Sequence, residues 1–282
     1  MKVLVLGAGG QLGQELAEYC ATQRDDVVAL THHDLDITNR VEVNESLTRL
    51  RPDVVVNCAA WTAVDACESD PLRAHAVNAQ GPLWVAEATG SIKAHLVHVS
   101  TDYVFSGESS TPYVEDDATA PINVYGVSKA AGEVAVLANG HGTTVVRTSW
   151  LCGKHGTNIV KTVLGLAAKG DTMRFVDDQW GAPSFAQDLA PLIRSLARER
   201  TSGIIHATND GVLTWFAFVQ AILRTAGLDP NLVESITSDE LTPPRPARRP
   251  RHSVLANTRI GIRGTSLLPP YESSLRSLID HL

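Results

Sequence analysis

Short β-branched runs and longer stretches with helical spacing take turns along this chain. "KVLVL" is followed by a helical pattern from Gln11 to Cys20, "VVAL" by Val41 to Leu50, "DVVVN" by Pro71 to Ala88 and "AHLVHVS" by Tyr125 to Leu137, with "TVVRTSW" closing the series. That alternation predicts a parallel sheet wound with helices on both faces. Beyond Trp150 the rhythm loosens. A helix over Asn158 to Ala168, a strand at "MRFVD", a helix over Ala186 to Ala197, a strand at "GIIHAT" and a helix over Thr214 to Ala226 predict a smaller lobe closing over the sheet edge. There is no internal repeat, and the one biased tract is "TPPRPARRPR".

Length adds scale to this picture. A chain of 282 residues is long enough for one large α/β unit or two lobes. The expected division is a dinucleotide-binding domain at 1–150, with some later segments returning to it, and a mainly substrate-binding lobe at 151–282. A formal charge of −7 offers no general footprint for nucleic acid. Cys20, Cys58, Cys67 and Cys152 form no C-x-x-C pair, and a strand pattern begins at once with no charged and apolar leader before it. No apolar run approaches the ~20 residues that cross a bilayer. A cytoplasmic enzyme without a membrane partner is expected.

The first chemical signal is "VLVLGAGGQLGQEL". Gly7, Gly10 and Gly13 follow a strand and open a helix, so the backbone turns tightly and the N–H groups of the first helical turn, at Gln11 and Leu12, are aimed at a pyrophosphate. The spacing is G-x-x-G-x-x-G, and Leu12 stands where G-x-G-x-x-G would need its last glycine. A plain structural turn is the competing reading. The second strand ends in Thr31, His32 and His33, without the acid that would hold the adenosine ribose of NAD. This tilts the expectation toward NADPH, with NADH as the other possibility. Asp36 and Ile37 just beyond either frame the adenine or form an ordinary turn.

The second signal is "VHVSTDYVFSG", a strand that delivers Ser100, Thr101 and Asp102 to the carboxyl edge of the sheet, where open α/β folds bind ligands. It gains meaning from "VYGVSK". Tyr125 and Lys129 are four residues apart, so on a helix they share one face. Reducing a ketone requires hydride at carbon and a proton at the oxygen. Tyr125 is placed to give that proton, Lys129 to lower the phenol's pKa from roughly 10 and hold the nicotinamide ribose, and Thr101 to orient the carbonyl.

These residues resemble the extended short-chain dehydrogenase/reductase superfamily, whose Rossmann fold and Ser/Thr, Tyr, Lys trio they match. Six blocks in order, "VVVNCAAWTAVDACESDP", "STDYVFSG", "APINVYGVSKAAGE", "VVRTSWL", "VDDQWGAPS" and "RPARRPRHSVL", are similar to the dTDP-4-dehydrorhamnose reductase family over nearly the whole chain. The resemblance implies an α/β Rossmann doubly wound parallel sheet with a smaller C-terminal α/β lobe. It also implies NAD(P)H-dependent reduction of the 4-keto group of dTDP-4-dehydro-β-L-rhamnose. Carried over by motif, Thr101, Tyr125 and Lys129 are catalytic, Ala59 and Ala60 line the cofactor groove, and Asn78 supports the strand ends. Asp102, Trp150, Asn158, Gln179 and Arg249, ahead of Arg248, are implied on the sugar-nucleotide side. The alternatives are a reductase of another dTDP-4-keto-6-deoxysugar, a nucleotide-sugar epimerase or dehydratase, and a non-catalytic NAD(P)-binding regulator.

Some relatives are magnesium-bridged dimers, which makes a homodimer the candidate assembly and Glu15 a candidate participant. No paired-acid motif and no H-x-x-x-H spacing accompany it, so neither a required magnesium ion nor a catalytic zinc is expected.

Overall fold

The computed structural model describes residues 1–140, 142–262 and 268–282. Its centre is a six-stranded sheet, parallel throughout, formed by β1 (Lys2–Leu6), β2 (Asp26–Leu30), β3 (Val54–Asn57), β4 (His95–Thr101), β5 (Thr144–Thr148) and the strand Gly203–His206. The spatial order runs β2-β1-β3-β4-β5 and then Gly203–His206. Chain direction across the sheet therefore reverses between β1 and β3, where open sheets leave a crevice at their carboxyl ends.

Helices cover both faces, as buried parallel strands require. On one side α1 (Gln11–Thr22) and α8 (Ala186–Arg198) pack through Leu12, Leu16, Leu189 and Ile193 against Val3, Val5 and Val97. The other side holds α2 (Arg40–Leu50), α5 (Gly81–Ile92) and α6 (Val124–Asn139); Val43, Leu47, Val85 and Val136 there meet Leu4, Val55 and Leu96. The strand Gly203–His206 and α8, expected in the smaller lobe, belong to this central body. Both are apolar on the side they bury, a property that does not say which sheet is covered.

After β3 comes the short α3 (Val64–Ser69). The expected helix from Pro71 to Ala88 is broken into α4 (Pro71–His75), a π-helical turn at Ala76–Gln80 and α5. Asn78 holds that turn in place: its amide accepts from Trp61 N–H at 2.8 Å and donates to Trp61 O and Ser128 Oγ, both at 3.0 Å. It thus ties the segment after β3 to the helix carrying Tyr125 and Lys129. A second core gathers α7 (Ile159–Ala167), α9 (Trp215–Thr225), the helix Tyr271–Asp280 and the parallel pair Met173–Val176 and Val233–Ile236 around Phe185, Phe218 and Leu275. Among the described residues, no helix is long and apolar enough to cross a membrane.

Candidate active site

Two adjoining clefts open along the carboxyl ends of the central strands. The first, of about 280 Å³, is lined by Gly7, Gly10, Asp36, Ile37, Ala59 and Ala60 together with His32 and Arg73. The second, of about 420 Å³, is lined by Gln11, Leu12, Gly13, Thr101, Asp102, Tyr125, Lys129 and Trp150, and shares Gly10, Cys58 and Ala60 with the first.

The glycines divide their labour. Gly7 has φ +75°, and a Cβ there would stand 2.5 Å from Ala59 N; a Cβ on Gly13 would stand 2.4 Å from Gly7 O. These two let β1, β3 and α1 close together. Gly10 caps α1 without a side-chain bond, so the N–H groups of the first turn face the clefts, an arrangement suited to a phosphate. Asp36 is both a turn residue and a lining residue, since its Oδ1 accepts from Thr38 N and Oγ1 at 2.9 and 2.8 Å. Arg73 carries no motif that marks it in the sequence. It comes from α4, not from the end of β2, and lies over the Trp61 ring at 4.5 Å, the one Arg or Lys lining the first cleft among the described residues.

Asn123 starts α6 by accepting from Gly126 N at 2.7 Å, and its Nδ2 donates to Arg248 O at 2.8 Å. Tyr125 and Lys129 then fall one turn apart, both buried, at 8% and 2% exposure. Lys129 Nζ donates to Val99 O at 2.7 Å. Burial lowers Lys129 to about 8, with Glu133 one turn further along opposing the shift. Burial also raises the Tyr125 phenol above its ordinary value, against a hydrogen bond with Thr101 that lowers it. Desolvation, not Lys129, thus dominates the phenol among these side chains, in the direction opposite to the lowering expected from the lysine. For a reductase the outcome is useful, because the phenol stays protonated near neutrality and holds the proton to be given.

Thr101 ends β4 with Oγ1 donating to Asp102 Oδ1 at 3.0 Å and accepting from Tyr103 N at 3.2 Å. Its single proton must turn from Asp102 to reach a substrate oxygen. Burial raises Asp102 to about 6, partly offset by hydroxyl donors from Ser253 and Thr101. Trp150 takes φ +46°, a left-handed conformation unusual for a bulky residue, and stacks on Trp215 with centroids 3.7 Å apart and planes within 14°. Trp215, at the start of α9, also lines the second cleft and carried no local signal in the sequence.

The residues expected on the sugar side divide. Thr101, Asp102 and Trp150 meet in the second cleft, whereas Asn158, Gln179 and Arg249 lie outside the lining of both. Asn158 caps α7, accepting from Lys161 N and donating to Gly153 O and Gln11 Oε1, so it positions Gln11 from behind. Gln179 donates to Ser238 Oγ at 2.8 Å. Arg249 forms a two-pronged ion pair with Asp65 on α3, whose carboxyl it holds below the usual range. Its charge is spent within the protein.

A nicotinamide dinucleotide fits the donors present. Ser100 Oγ and Thr148 Oγ1 are buried in the lining of the second cleft with no hydrogen-bond partner among the described residues, and such hydroxyls are costly unless a bound polar group meets them. Glu15, Glu18 and His155 bring ligand atoms within 4.8 Å of one another, a grouping that no sequence spacing announces. Lys154 Nζ bonds both carboxylates, at 3.3 and 2.8 Å, and already supplies a positive charge there. The four cysteines are free, and burial pushes the Cys58 thiol in the clefts up to about 12.

Similarity to known proteins agrees with this geometry. The chain is 44% identical to a dTDP-4-dehydrorhamnose reductase of Streptomyces griseus, covering 96% of this chain and 91% of the relative. It is 42% identical to a dTDP-4-keto-6-deoxy-D-glucose reductase of Streptomyces niveus, covering 90% and 88%. The crystal structure of dTDP-4-dehydrorhamnose reductase from Bacillus anthracis in complex with NADP superposes with a TM-score of 0.96 at 35% identity, covering 100% of this chain and 99% of that one. The family model described as the RmlD substrate binding domain matches residues 1–282, and the chain belongs to that family.

Proposed function

We propose that this protein reduces the 4-keto group of dTDP-4-dehydro-β-L-rhamnose to give dTDP-L-rhamnose, using NADPH. The observation that carries the reading is the meeting of Thr101, Tyr125 and Lys129 in one cleft that continues into the glycine-rich groove. Residues 1–150 would chiefly hold the dinucleotide and 151–282 the sugar, with Trp150 and Trp215 forming an apolar wall for the deoxysugar. A reduced nicotinamide supplies the hydride when bound.

The chain's residues supply the rest. The first turn of α1 receives the pyrophosphate, and Lys129 with Ser100 and Thr148 offers donors at the nicotinamide end. Thr101 orients the carbonyl oxygen while Tyr125 protonates it, at a phenol kept loaded by burial. The resemblance carried by the motifs makes a homodimer the candidate assembly.

The test is oxidation of NADPH by the purified protein with the keto sugar generated from dTDP-glucose by the preceding enzymes. Stoichiometric loss of reduced-nicotinamide absorbance with dTDP-rhamnose as product is expected. A different product sugar would move the assignment to another dTDP-4-keto-6-deoxysugar, the reading favoured by the Streptomyces niveus relative.

Cofactor preference gives a separate prediction. Arg73 and His32 flank the first cleft where the adenosine 2′-phosphate of NADPH would lie. Arg73→Ala is expected to raise the KM for NADPH roughly tenfold while changing that for NADH less than about twofold. Equal effects on both would remove Arg73 from phosphate recognition.

A further inference from the structure

A buried polar chain beneath Lys129 takes no part in the chemistry described above. Asn57, the last residue of β3, is paired in register with His98 on β4, and the two are 1% and 0% exposed. Ala59 N–H donates to Asn57 Oδ1 at 3.0 Å, which fixes the orientation of the amide. Asn57 Nδ2 is thereby the atom facing His98 Nδ1, at 3.3 Å, and it is a donor. A neutral His98 must accept at Nδ1 and carry its proton on Nε2. That nitrogen faces Lys129 Nζ at 3.4 Å. Burial, with Lys129 adding to it, holds His98 well below the ordinary imidazole range, so the ring is neutral.

The proton count then discriminates between the two forms of the lysine. An ammonium has three donors and no lone pair, so it meets the Nε2–H of His98 donor against donor. Moving the ring proton to Nδ1 frees Nε2 but sets a second N–H against Asn57 Nδ2. With Lys129 as the amine every group is matched: Asn57 donates to Nδ1, Nε2–H donates to Nζ, and Nζ donates to Val99 O.

We propose that His98, held as its Nε2–H tautomer by Asn57, is a positioning residue that favours the amine form of Lys129 and so readies this lysine to surrender a proton in each turnover. The proposal rests on the reductase reading for its role, though not for its geometry. Other groups also act on Lys129. Tyr125 and Glu133 share its helix, Arg147 on β5 pairs with Glu133, and Cys58 follows β3; Glu133, and after it Cys58, favour the ammonium. His98 is the counterweight on the β4 side.

The protons balance through the cycle. The Tyr125 O–H bond breaks as its proton passes to the substrate oxygen. The phenolate then regains its O–H with a proton released by the breaking of an N–H of the Lys129 ammonium and carried between the two side chains by water in the cleft. The resulting amine accepts a hydrogen bond from His98 until water in the cleft returns one proton. A bias toward the amine weakens the hold of Lys129 on that proton and so eases its release.

The test uses the full chain labelled with nitrogen-15 in histidine and carbon-13 in lysine, without substrate. Long-range proton–nitrogen spectra of His98 are expected to show Nε2 protonated and Nδ1 bare. In Asn57→Asp the new carboxylate accepts from the ring, so the proton should move to Nδ1, leaving a lone pair for the ammonium. The Lys129 Cε titration should then rise by about one pH unit, tenfold in proton affinity. A wild-type ring protonated on Nδ1 overturns the proposal whatever the substrate proves to be. A moved ring proton with an unmoved Lys129 titration overturns it as well. Absence of NADPH oxidation would instead strike the reductase reading and leave these spectra as they stand.

Discussion

Tyr125→Phe is expected to leave a folded protein that still binds NADPH, with turnover lowered about 10²- to 10⁴-fold, the range for losing a positioned general acid. The substitution removes one oxygen from a ring that is 8% exposed and packed edge-on against Tyr103, with centroids 5.7 Å apart. Ring packing survives, and so does the Lys129 contact with Val99 O, which does not involve the phenol. The loss should therefore fall on kcat, with KM for NADPH changed little. Steady-state rates together with cofactor binding measured by fluorescence check both halves. Retention of most of the activity would mean that another group delivers the proton, and buried Asp102, raised to about 6, would be the first to examine.

The second large effect is on stability. Arg147 on β5 and Glu133 on α6 form a buried ion pair, 2% and 3% exposed, with Nη2 to Oε2 at 2.7 Å and Nε to Oε1 at 2.9 Å. The guanidinium lies over the Phe105 ring and its Nη1 faces His206 Nε2 at 3.3 Å. Arg147→Met strands the carboxylate in the interior and is expected to cost about 3–5 kcal/mol, seen as a lower urea midpoint. Pairing it with Glu133→Leu should recover most of that loss, since two apolar side chains leave no buried charge. If the double variant were as unstable as the single one, packing, not charge, would hold α6 to the sheet. Because Glu133 also favours the charged form of Lys129, the double variant should in addition lower the pH at which Lys129 loses its proton.

Local chemistry accounts for the features that are legible in the chain alone. Periodicity marks α1, α2, α6 and the five leading strands to within a few residues, because each buries a face defined by its own spacing. The Tyr125 and Lys129 pair needs only a helix to be brought together, and the Gly7, Gly10, Gly13 turn needs only its own strand and helix. Arg249 shows the limit. An arginine in a proline-rich tract reads the same whether it meets a ligand or Asp65, and Asp65 is 184 residues away in the chain.

The Rossmann framework and the candidate residues for the proposed reduction were thus determined by the sequence itself, since glycine turns, strand ends and i, i+4 pairs are properties of short segments. Tertiary structure alone decided which distant groups complete them. It brought Arg73 to the first cleft, Trp215 against Trp150, Ser253 onto Asp102, and Asn57 with His98 beneath Lys129. It also decided that Tyr125 is raised and Lys129 lowered, because desolvation depends on everything packed around a group, most of it distant in the chain.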